Sequence, residues 1–325
     1  MLIYRNDNTD PYLNLALEES LLTNSARDCF MLWRNRPAII VGRNQNTAEE
    51  INAAFVRDRG VAVVRRLSGG GAVYHDLGNL NFTFVSHDSR HSFDFARFAA
   101  PILAVLAKLG VAAEFSGRND LHIDGRKFSG NAQYVQGGRI LHHGTLLFDS
   151  DLSVLGQALA VKPDKYESKG IKSVASRITN IAPHLPRPAT IDQFAAAVFA
   201  HIAETFPGAA VADFSPAERA AASELVAAKY SRWEWNYGKS SPYNFSNKQR
   251  FAGGLVECRL FVEAGVIRDA RIYGDFFGNR DVGELERTLV GLRHDHAAIA
   301  GALAAADLAQ YFTGISRDDL LTVFL

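Results

Sequence analysis

The sequence predicts an α+β protein in which a large domain with a mixed β-sheet precedes a small α+β domain. Three observations support this class. Predicted strands and helices alternate irregularly, several strands are separated only by tight-turn signals, and one polar stretch interrupts the pattern late in the chain. Turn-linked strands pair antiparallel, whereas a doubly wound parallel sheet requires strands and helices in regular alternation. A mixed sheet therefore fits this chain better.

The first helix is predicted to begin at Asp10 and Pro11, because Asp is a favourable N-cap and Pro suits the first helical turn. Leu13, Leu17 and Leu21 then recur along one face of that helix. Runs typical of β-strands follow at residues 30–33, 38–41, 61–64 and 80–85. An amphipathic pattern predicts a second helix over residues 94–109.

Consecutive hairpins are predicted over residues 120–148. Asp124-Gly125 favours a tight type I′ turn, and Gly137-Gly138 marks the next reversal of the chain. Helical patterns return at residues 152–160, 191–206 and 216–229.

Residues 237–250 are polar and rich in turn-forming types, which is typical of a linker. We therefore predict a large domain over residues 1–238, a linker over 239–250 and a C-terminal domain over 251–325. Within the C-terminal domain, strands are predicted at 251–263 and 266–273, and helices at 282–292 and 296–306.

The composition excludes several classes of protein. Hydrophobic residues make up 47% of the 325 residues and charged residues 22%, which is ordinary for a globular protein with a sizeable core. Basic and acidic residues balance at 35 each, so general attraction to nucleic acid or to an anionic membrane is not indicated. The two cysteines, Cys29 and Cys258, are far apart, and no signal peptide or membrane span is recognised. We expect a cytoplasmic location in a reducing compartment.

The first chemical signal is the segment from Arg65 to Asn79, which contains three consecutive glycines after a β-type run. Such glycines let main-chain amides approach a phosphate or carboxylate closely, and Arg65 and Arg66 add positive charge. The alternative interpretation is that the three glycines form a mobile loop and that the two arginines lie on a solvated edge. The polar neighbours Ser68, Tyr74, His75 and Asp76 favour a binding site. The spacing matches neither a Walker loop nor a dinucleotide-binding fingerprint.

The second signal is Lys127, which follows the predicted hairpin turn and precedes the small residues Ser129 and Gly130. Small neighbours leave space for a ligand beside the ammonium group. A structural lysine on a hairpin is the alternative. Asp120 belongs to the same polar, glycine-containing cluster as Lys127. Because the segment from Arg65 is a first such cluster in the same domain, the two clusters are expected to form two walls of one pocket.

Two further segments carry polar side chains. His142 and His143 are adjacent on a predicted strand, so their side chains point to opposite faces, and one of them is expected to line a pocket. A metal site is the less favoured interpretation of the pair. Lys169 and Lys172 belong to a lysine-rich segment that, taken alone, resembles a solvated loop.

Together these segments resemble the lipoate–protein ligase family. The matching motifs are Arg-Arg-x-Ser-Gly-Gly-Gly-Ala-Val-x-His-Asp-Leu-Gly-Asn from Arg65, Gly-Arg-Asn-Asp-Leu from Gly117, Arg-Lys-x-Ser-Gly-x-Ala from Arg126, His-His-Gly-Thr-Leu-Leu from His142, Lys-Gly-Ile-x-Ser-Val from Lys169 and Trp-Glu-Trp-Asn-x-Gly from Trp233. Each motif alone is weak, but six in one order are highly specific.

The resemblance implies a biotin/lipoate-ligase-type catalytic domain followed by an accessory domain. It implies an enzyme that adenylates lipoate with ATP and Mg²⁺, releases pyrophosphate, and transfers the lipoyl group to a protein lysine. The implied acceptors are lipoyl domains of 2-oxoacid dehydrogenase E2 subunits and the glycine cleavage H protein, octanoate is a further implied substrate, and a monomer is implied.

The resemblance also implies roles for individual residues, with Lys127 catalytic. Adenylate-binding residues would be Arg66, Gly71, Ala72, Val73, Tyr74, Asp120, Lys127, Lys169 and Lys172, with Asp120 near a Mg²⁺ ion. Lipoate-binding residues would be Trp33, Ser68, Gly69, Gly70, His75, Lys127, His143 and Gly144. Ala175 stands where the family typically carries arginine, so the lysine-rich segment would hold the adenylate less tightly or Lys172 would take the place of the arginine.

Three alternatives remain. An octanoyl transferase or amidotransferase of the same fold would use a cysteine thioester instead of ATP, but neither cysteine neighbours a glycine turn or a basic group. A biotin ligase would carry a Gly-Arg-Gly-Arg-x-Gly-Arg motif, which is absent. A non-catalytic protein that holds lipoate or a lipoyl domain would not need Lys127, Arg66 and the glycine loop together.

Overall fold

The computed structural model describes residues 1–159, 177–238 and 243–325. These residues pack into two compact units. Unit 1 comprises Met1–Ile40, Glu49–Val64 and Val73–Arg232, and unit 2 comprises Val41–Ala48, Arg65–Ala72 and Trp233–Leu325. The packing units therefore differ from the sequential domains predicted above, because two short stretches before residue 238 pack with the C-terminal segment.

The β-strands of the described residues are β1 (Leu2–Arg5), β2 (Cys29–Trp33), β3 (Ala38–Val41), β4 (Ala62–Arg65), β5 (Val73–His75), β6 (Asn79–Ser86), β7 (Glu114–Ser116), β8 (Asp120–Ile123), β9 (Arg126–Gln136), β10 (Arg139–Leu147), β11 (Ala210–Ala212), β12 (Phe245–Phe251), β13 (Gly254–Glu263) and β14 (Val266–Gly274). The helices are α1 (Pro11–Asn24), α2 (Thr47–Glu50), α3 (Ala53–Arg59), α4 (Phe95–Lys108), α5 (Leu152–Ala158), α6 (Ile191–Thr205), α7 (Pro216–Leu225), α8 (Trp233–Asn236), α9 (Gly283–Leu289), α10 (His296–Ala305) and α11 (Arg317–Phe324).

Unit 1 is built on a large sheet with the strand order β11-β1-β2-β6-β10-β9-β8-β7. β1 pairs parallel with both β2 and β11, whereas β2, β6, β10, β9, β8 and β7 pair antiparallel in turn. A smaller sheet has the order β4-β3-β5. The prediction of a mixed sheet is confirmed, and the predicted hairpins correspond to β8, β9 and β10.

The first helix begins where the sequence predicted. The Asp10 side chain accepts hydrogen bonds from the main-chain N–H groups of Tyr12 and Leu13, and Pro11 occupies the first turn. Leu17 and Leu21 are buried as expected, but α1 also buries polar side chains that the apolar pattern did not indicate. These are Asn14, Glu18 and Ser20.

The core of unit 1 lies between the large sheet and two helices. Phe98 and Ile102 of α4 and Phe194 of α6 pack with sheet residues such as Phe82 and Phe128. Their burial removes a large apolar area from water, which is the main favourable contribution to folding.

Unit 2 has its own antiparallel sheet, β12-β13-β14, and a separate apolar core with α9, α10 and α11. The predicted linker is too long at its C-terminal end, because residues 245–250 form most of β12 and pair with β13. β12 is an edge strand with mostly exposed side chains, so its polar sequence looked like a linker. In the part of the chain that the structure describes, no helix is long and apolar enough to cross a bilayer.

Candidate active site

The glycine-rich loop lies in unit 2 and is held in shape by close backbone packing. A Cβ atom on Gly42 would lie 1.9 Å from the carbonyl oxygen of Gly70, so position 42 admits only glycine without movement of the loop. Gly70 itself has a φ of 86°, which is strained for other residues. The shape of the loop therefore depends on a glycine outside the motif from which it was predicted.

Arg66 is 6% exposed and bonds to the inside of this loop. Its Nη2 donates to the carbonyl oxygens of Gly69 at 2.6 Å and Gly71 at 2.8 Å, and its Nε donates to the Ser68 hydroxyl at 3.0 Å. In a trans peptide the next N–H points opposite to the carbonyl. The N–H groups of Gly70 and Ala72 therefore point away from Arg66, as donors for an anion.

Arg65 is fully buried in unit 2, and burial lowers its pKa to about 10. Its guanidinium donates to the carbonyl oxygens of Gly42 at 2.8 Å and Gln45 at 2.7 Å, and to the Thr47 hydroxyl at 2.7 Å. Its Nε donates to the carbonyl oxygen of Trp235 at 2.9 Å. Arg65 thus joins the segment after β3 to α8.

Lys127 lies in unit 1, where its Nζ is 2.8 Å from Asp120 Oδ1. The side chains are 39% and 30% exposed, so the ion pair is accessible to solvent. A Cβ on Gly130 would lie 3.0 Å from Lys127 Nζ, which shows that the ammonium rests over the glycine. Gly130 therefore makes room for the ammonium itself, and the partial exposure of the Lys127 side chain leaves it accessible to a polar molecule.

A β-bulge explains why these residues share a face. Leu121 is opposite Ser129 but His122 is opposite Lys127, which leaves Phe128 as an extra residue in β9. Residues three apart on a regular strand point to opposite faces, and a bulge changes that alternation. Phe128 is fully buried in the core, while Lys127 lies with Gly130 and Asp120 on the other side.

Trp33 and His143 belong to one buried network in unit 1. The indole Nε1 of Trp33 donates to Thr83 Oγ1 at 2.8 Å, and the Thr83 hydroxyl donates to Glu18 Oε1 at 2.6 Å. His143 Nδ1 lies 2.9 Å from the same oxygen. Because a carboxylate accepts only, His143 carries its proton on Nδ1 in this contact. Glu18 therefore sets the orientation of both predicted pocket residues.

A second chain of amides sets the orientation of His75. Asn14 Nδ2 donates to Asn35 Oδ1 at 2.8 Å, which leaves Asn35 Nδ2 facing His75 Nδ1 at 3.1 Å. His75 Nδ1 is therefore an acceptor, and the neutral ring carries its proton on Nε2. Trp33 lies edge-on to the His75 ring, with centroids 6.1 Å apart, so the two predicted pocket residues are neighbours. Burial raises the pKa of the adjacent Tyr74.

The two adjacent histidines face opposite sides of β10, as predicted. His143 contacts Glu18 of α1, whereas His142 stacks on Phe98 of α4 with centroids 4.8 Å apart. Burial, and then the neighbouring His143, hold the pKa of His142 well below its usual range. Among the described residues, no group of three or more His, Cys, Asp or Glu side chains could hold a metal ion.

Gly144 faces Asn131 across β9 and β10, and a Cβ there would lie 2.4 Å from Asn131 Oδ1. Ala72 is in the unit 2 loop, whereas Val73 begins β5 in unit 1. Lys169, Lys172 and the unusual Ala175 lie outside the described residues.

The structure brings Trp33, His75 and His143 together in unit 1, and separately joins Lys127 to Asp120. The idea that the glycine loop and Lys127 form two walls of one pocket stays a prediction. Sequence reasoning missed the residues that orient the site, namely Glu18, Asn35, Gly42 and Thr83. The available signal for Glu18 was a pair of adjacent glutamates within an apolar helix. The available signal near Gly42 was the run of amides that follows it, Asn44-Gln45-Asn46, after a buried strand.

Comparison with known proteins assigns the family. The lipoyl protein ligase A/B catalytic domain model matches residues 10–203, and the bacterial lipoate protein ligase C-terminus model matches residues 240–324. The lipoate-protein ligase LplJ of Bacillus subtilis (strain 168) is 44% identical over 327 aligned positions and 99% of each chain. Lipoate–protein ligase 1 of Staphylococcus aureus (strain Mu50) is 44% identical over 98% of each chain.

Solved structures agree with this assignment. P. falciparum LipL1 in complex with lipoate superposes with a TM-score of 0.79 at 26% identity, over 94% of both chains. A lipoate-protein ligase A bound with ATP has a TM-score of 0.64 at 26% identity, over 73% of this chain and 98% of that one. A chain from the bi-partite ligase and E2 lipoyl domain system of Thermoplasma acidophilum has a TM-score of 0.67 at 28% identity, over 75% and 98%.

The expected fold class is confirmed by the mixed sheet, the separate C-terminal core and these matches. The match extends over both predicted parts of the chain, including the C-terminal segment. The chain therefore belongs to the lipoate–protein ligase family.

Proposed function

We propose that this protein is an ATP-dependent lipoate–protein ligase. It activates lipoate as lipoyl-AMP with release of pyrophosphate, and then transfers the lipoyl group to a lysine of an acceptor protein. The observation that carries the proposal is 44% identity over 99% of both chains to a protein named for this activity. The geometry of Lys127 and of the glycine-rich loop supports it.

Lys127 is assigned the central role in activation. The first half-reaction brings a carboxylate against the α-phosphate of ATP, and the two anions repel. An ammonium beside both groups neutralises them and stabilises the charge that develops during transfer. Asp120 holds that ammonium at 2.8 Å, and the Lys127 side chain is 39% exposed, so a ligand can reach it. Lys127 then polarises the acyl carbonyl in the second half-reaction.

The glycine-rich loop is assigned to the adenylate. The N–H groups of Gly70 and Ala72 point away from Arg66, whose hydrogen bonds to the loop carbonyls favour this orientation. Arg66 acts through the loop in this assignment, since its guanidinium donates to the Ser68 hydroxyl and to the carbonyl oxygens of Gly69 and Gly71. The remaining adenylate-binding residues we propose are Gly71, Val73, Tyr74, Asp120, Lys127, Lys169 and Lys172.

The acyl group is assigned to residues of the two buried networks. Trp33, His75 and His143 are each fixed by a directional hydrogen bond, which keeps their rings in place for an apolar chain. At ~0.8 kcal/mol per buried methylene, burial of the chain selects lipoate or octanoate over short acids. The remaining lipoate-binding residues we propose are Ser68, Gly69, Gly70, Lys127 and Gly144.

Mg²⁺ is proposed to accompany ATP. Mg²⁺ commonly takes one or two carboxylates and completes its coordination with phosphate oxygens and water. Asp120 fits as a single carboxylate ligand because its side chain is 30% exposed. Such an ion would neutralise the leaving pyrophosphate.

The burial of both cysteines argues against the alternative transferase chemistry. It requires an accessible thiolate, because the thiolate is the nucleophile. Cys29 is 1% exposed and Cys258 is fully buried, and burial raises the pKa of each thiol. The chain has only these two cysteines, so a thioester route has no suitable group.

The acceptors we propose are lipoyl domains of 2-oxoacid dehydrogenase E2 subunits and the glycine cleavage H protein. The similarity to the bi-partite ligase that was studied with its E2 lipoyl domain supports the first of these. A monomer in the cytoplasm is part of the same proposal, and the two unpaired cysteines suit a reducing compartment.

Isotope exchange between pyrophosphate and ATP tests the first step, and mass spectrometry of an apo lipoyl domain tests the second. We expect exchange that depends on lipoate and a mass increase of one lipoyl group that depends on ATP. Lipoyl transfer without ATP would favour the transferase. Lipoate binding with neither reaction would favour a non-catalytic binder.

A further inference from the structure

A buried chain of polar side chains runs from β10 to the start of β8. His142 is fully buried against Phe98. Its Nδ1 lies 3.0 Å from Gln133 Nε2, and its Nε2 lies 3.2 Å from Asn131 Oδ1. Asn131 Nδ2 in turn donates to the main-chain oxygen of Asn119 at 3.0 Å. The mechanism proposed above does not use His142.

The hydrogen-bond donors and acceptors of these side chains can be arranged in only one way. The N–H of Phe93 donates to Gln133 Oε1 at 2.5 Å, so Gln133 presents its NH₂ group to His142 Nδ1. That nitrogen must accept, and the ring proton is therefore on Nε2, which donates to Asn131 Oδ1. The NH₂ group of Asn131 then donates to the main-chain oxygen of Asn119. A protonated imidazole would face the NH₂ group of Gln133 with a second donor, so only the neutral ring fits.

The far end of this hydrogen-bonded chain is Asn119, the residue before the Asp120 that pairs with Lys127. Asn119 Nδ2 donates to the main-chain oxygen of Asn131 at 2.6 Å, and the N–H of Asn131 donates back to the oxygen of Asn119 at 2.9 Å. Asp120, the next residue, begins β8 and holds Lys127 at 2.8 Å. Asn131 also follows Gly130, over which the ammonium rests. Asn131 is thus joined by hydrogen bonds to the residue before Asp120 and by the main chain to Gly130.

Gly144 supplies the space that this arrangement needs. It faces Asn131 on the paired strand, and a methyl group there would lie 2.4 Å from Asn131 Oδ1. The carboxamide therefore fills the space that a larger residue at position 144 would occupy. The glycine of the His-His-Gly motif therefore has a packing role beside Asn131, in addition to its proposed place in the lipoate site.

We propose that His142 is a positioning residue, which acts through Asn131 and Asn119 to hold the Asp120 carboxylate and hence the ammonium of Lys127. The inference rests on the role proposed above for Lys127. His142 touches no reacting group itself. Its effect is to keep the ammonium in the geometry that activation requires.

Two substitutions at position 142 separate positioning from packing. His142→Phe keeps an aromatic ring against Phe98 and loses both hydrogen bonds. His142→Gln places an amide nitrogen near the position of Nε2 and can still donate to Asn131. For His142→Phe we expect kcat of lipoate-dependent pyrophosphate exchange to fall about tenfold to a hundredfold, because small misplacements of a catalytic group cost that much. KM for ATP and lipoate should stay within about twofold, and His142→Gln should regain most of kcat.

A merely structural role would lower the amount of folded enzyme and leave kcat per folded molecule unchanged. A folded His142→Phe with kcat within about twofold of the unsubstituted enzyme would overturn the proposal. If that variant does not fold, Asn131→Asp takes its place, since it keeps the acceptor for His142 and removes the donor to Asn119. The same fall in kcat is expected, and an unchanged kcat overturns the proposal in the same way.

A second readout does not depend on activity. Competitive acetylation measures the reactivity of Lys127 relative to Lys108, an exposed lysine that pairs with Glu204 on other elements. We expect the relative labelling of Lys127 to rise several-fold in His142→Phe or Asn131→Asp, because a loosened ion pair exposes the amine. An unchanged ratio would count against positioning. If the unsubstituted protein lacks lipoate-dependent exchange, the proposed function fails, while the labelling ratio still tests this inference.

Discussion

The carboxylate of Glu18 and the imidazole of His143 are hydrogen bonded in the interior of unit 1, with 2.9 Å between Oε1 and Nδ1. The same oxygen accepts the Thr83 hydroxyl at 2.6 Å, and Thr83 accepts the indole N–H of Trp33. One buried carboxylate on α1 therefore orients side chains from β2 and β10. Buried polar groups are costly unless they are paired, so these residues depend on one another.

Glu18→Ala is expected to raise KM for lipoate and to lower stability by about 1–3 kcal/mol, because His143 and Thr83 lose their acceptor. Glu19→Ala is the matched control. Glu19 is the next residue of α1 but pairs with Lys229 at 2.8 Å and Tyr230 at 2.7 Å instead. Steady-state kinetics and thermal unfolding of both variants check this. Equal effects on KM would contradict a specific role for Glu18.

Lys127→Ala is expected to lower the rate of adenylate formation by about 10²–10³-fold, the usual cost of removing one group that stabilises developing charge. Lys127→Arg should fail as well, because a planar fork does not replace a compact ammonium. Lys108→Ala is the control, since that lysine is 58% exposed and pairs with Glu204. Pyrophosphate release measures the rate. A near-normal rate in Lys127→Ala would remove Lys127 from its role.

Arg65→Met is expected to destabilise unit 2 by about 3–5 kcal/mol, comparable to breaking a buried ionic network. The loss leaves several buried carbonyl oxygens without their donor, and Arg65→Lys should restore little because it lacks the guanidinium fork. Arg57→Ala is the control. Its side chain is 76% exposed, and we expect a change within about 0.5 kcal/mol. Urea unfolding of the three variants measures these differences, and a stable Arg65→Met would refute the prediction.

Gly42→Ala is expected to distort the glycine-rich loop, because the added methyl group would lie 1.9 Å from the oxygen of Gly70. Overpacking of this kind costs about 1–3 kcal/mol, and we expect KM for ATP to rise with it. Gly301→Ala is the matched control, since nothing lies within 4 Å of its Cβ position in α10. That variant should gain about 0.5–1 kcal/mol from helix propensity. The KM for ATP and the thermal unfolding of Gly42→Ala and Gly301→Ala check this prediction.

The burial of His142 predicts a pH dependence of stability. Burial and the neighbouring His143 hold its pKa well below the usual 6.5, so the unfolded chain binds a proton that the native chain excludes. Stability from this group is therefore present above about pH 6.5 and falls as the pH falls, by up to about 1.4 kcal/mol per pH unit. Denaturant unfolding of the unsubstituted protein and His142→Phe measures the difference. Parallel curves between about pH 7 and about pH 5 would contradict it.

Local signals accounted for much of the fold. Asp10 and Pro11 began α1 as predicted, because an N-cap acts within one turn of the chain. The hairpins from β8 to β10 followed from turn chemistry that also acts locally. β12 was missed because an exposed edge strand has no apolar face to reveal it.

The residues to which we assign chemistry were visible in the sequence, whereas those that orient them were not. Lys127, His75 and His143 stand in recognisable motifs, whereas Trp33 was named only because the family resemblance implies it. Glu18 is distant from His143 in sequence, and no periodicity reveals that the two meet. Likewise, only the close contact with the carbonyl oxygen of Gly70 shows why position 42 requires glycine.

By itself the sequence determined the fold class, the family and the chemical types present, since these depend on local patterns and motif order. Only the tertiary structure decided which groups meet. The bulge at Phe128 brings Lys127 onto the face of Gly130 and Asp120, and the pairing of β10 with the distant strand β6 directs His142 and His143 to different helices. Hydrogen bonds between distant segments depend on that pairing, and for this reason the donor directions at His75, His142 and His143 could not be derived from the order of residues.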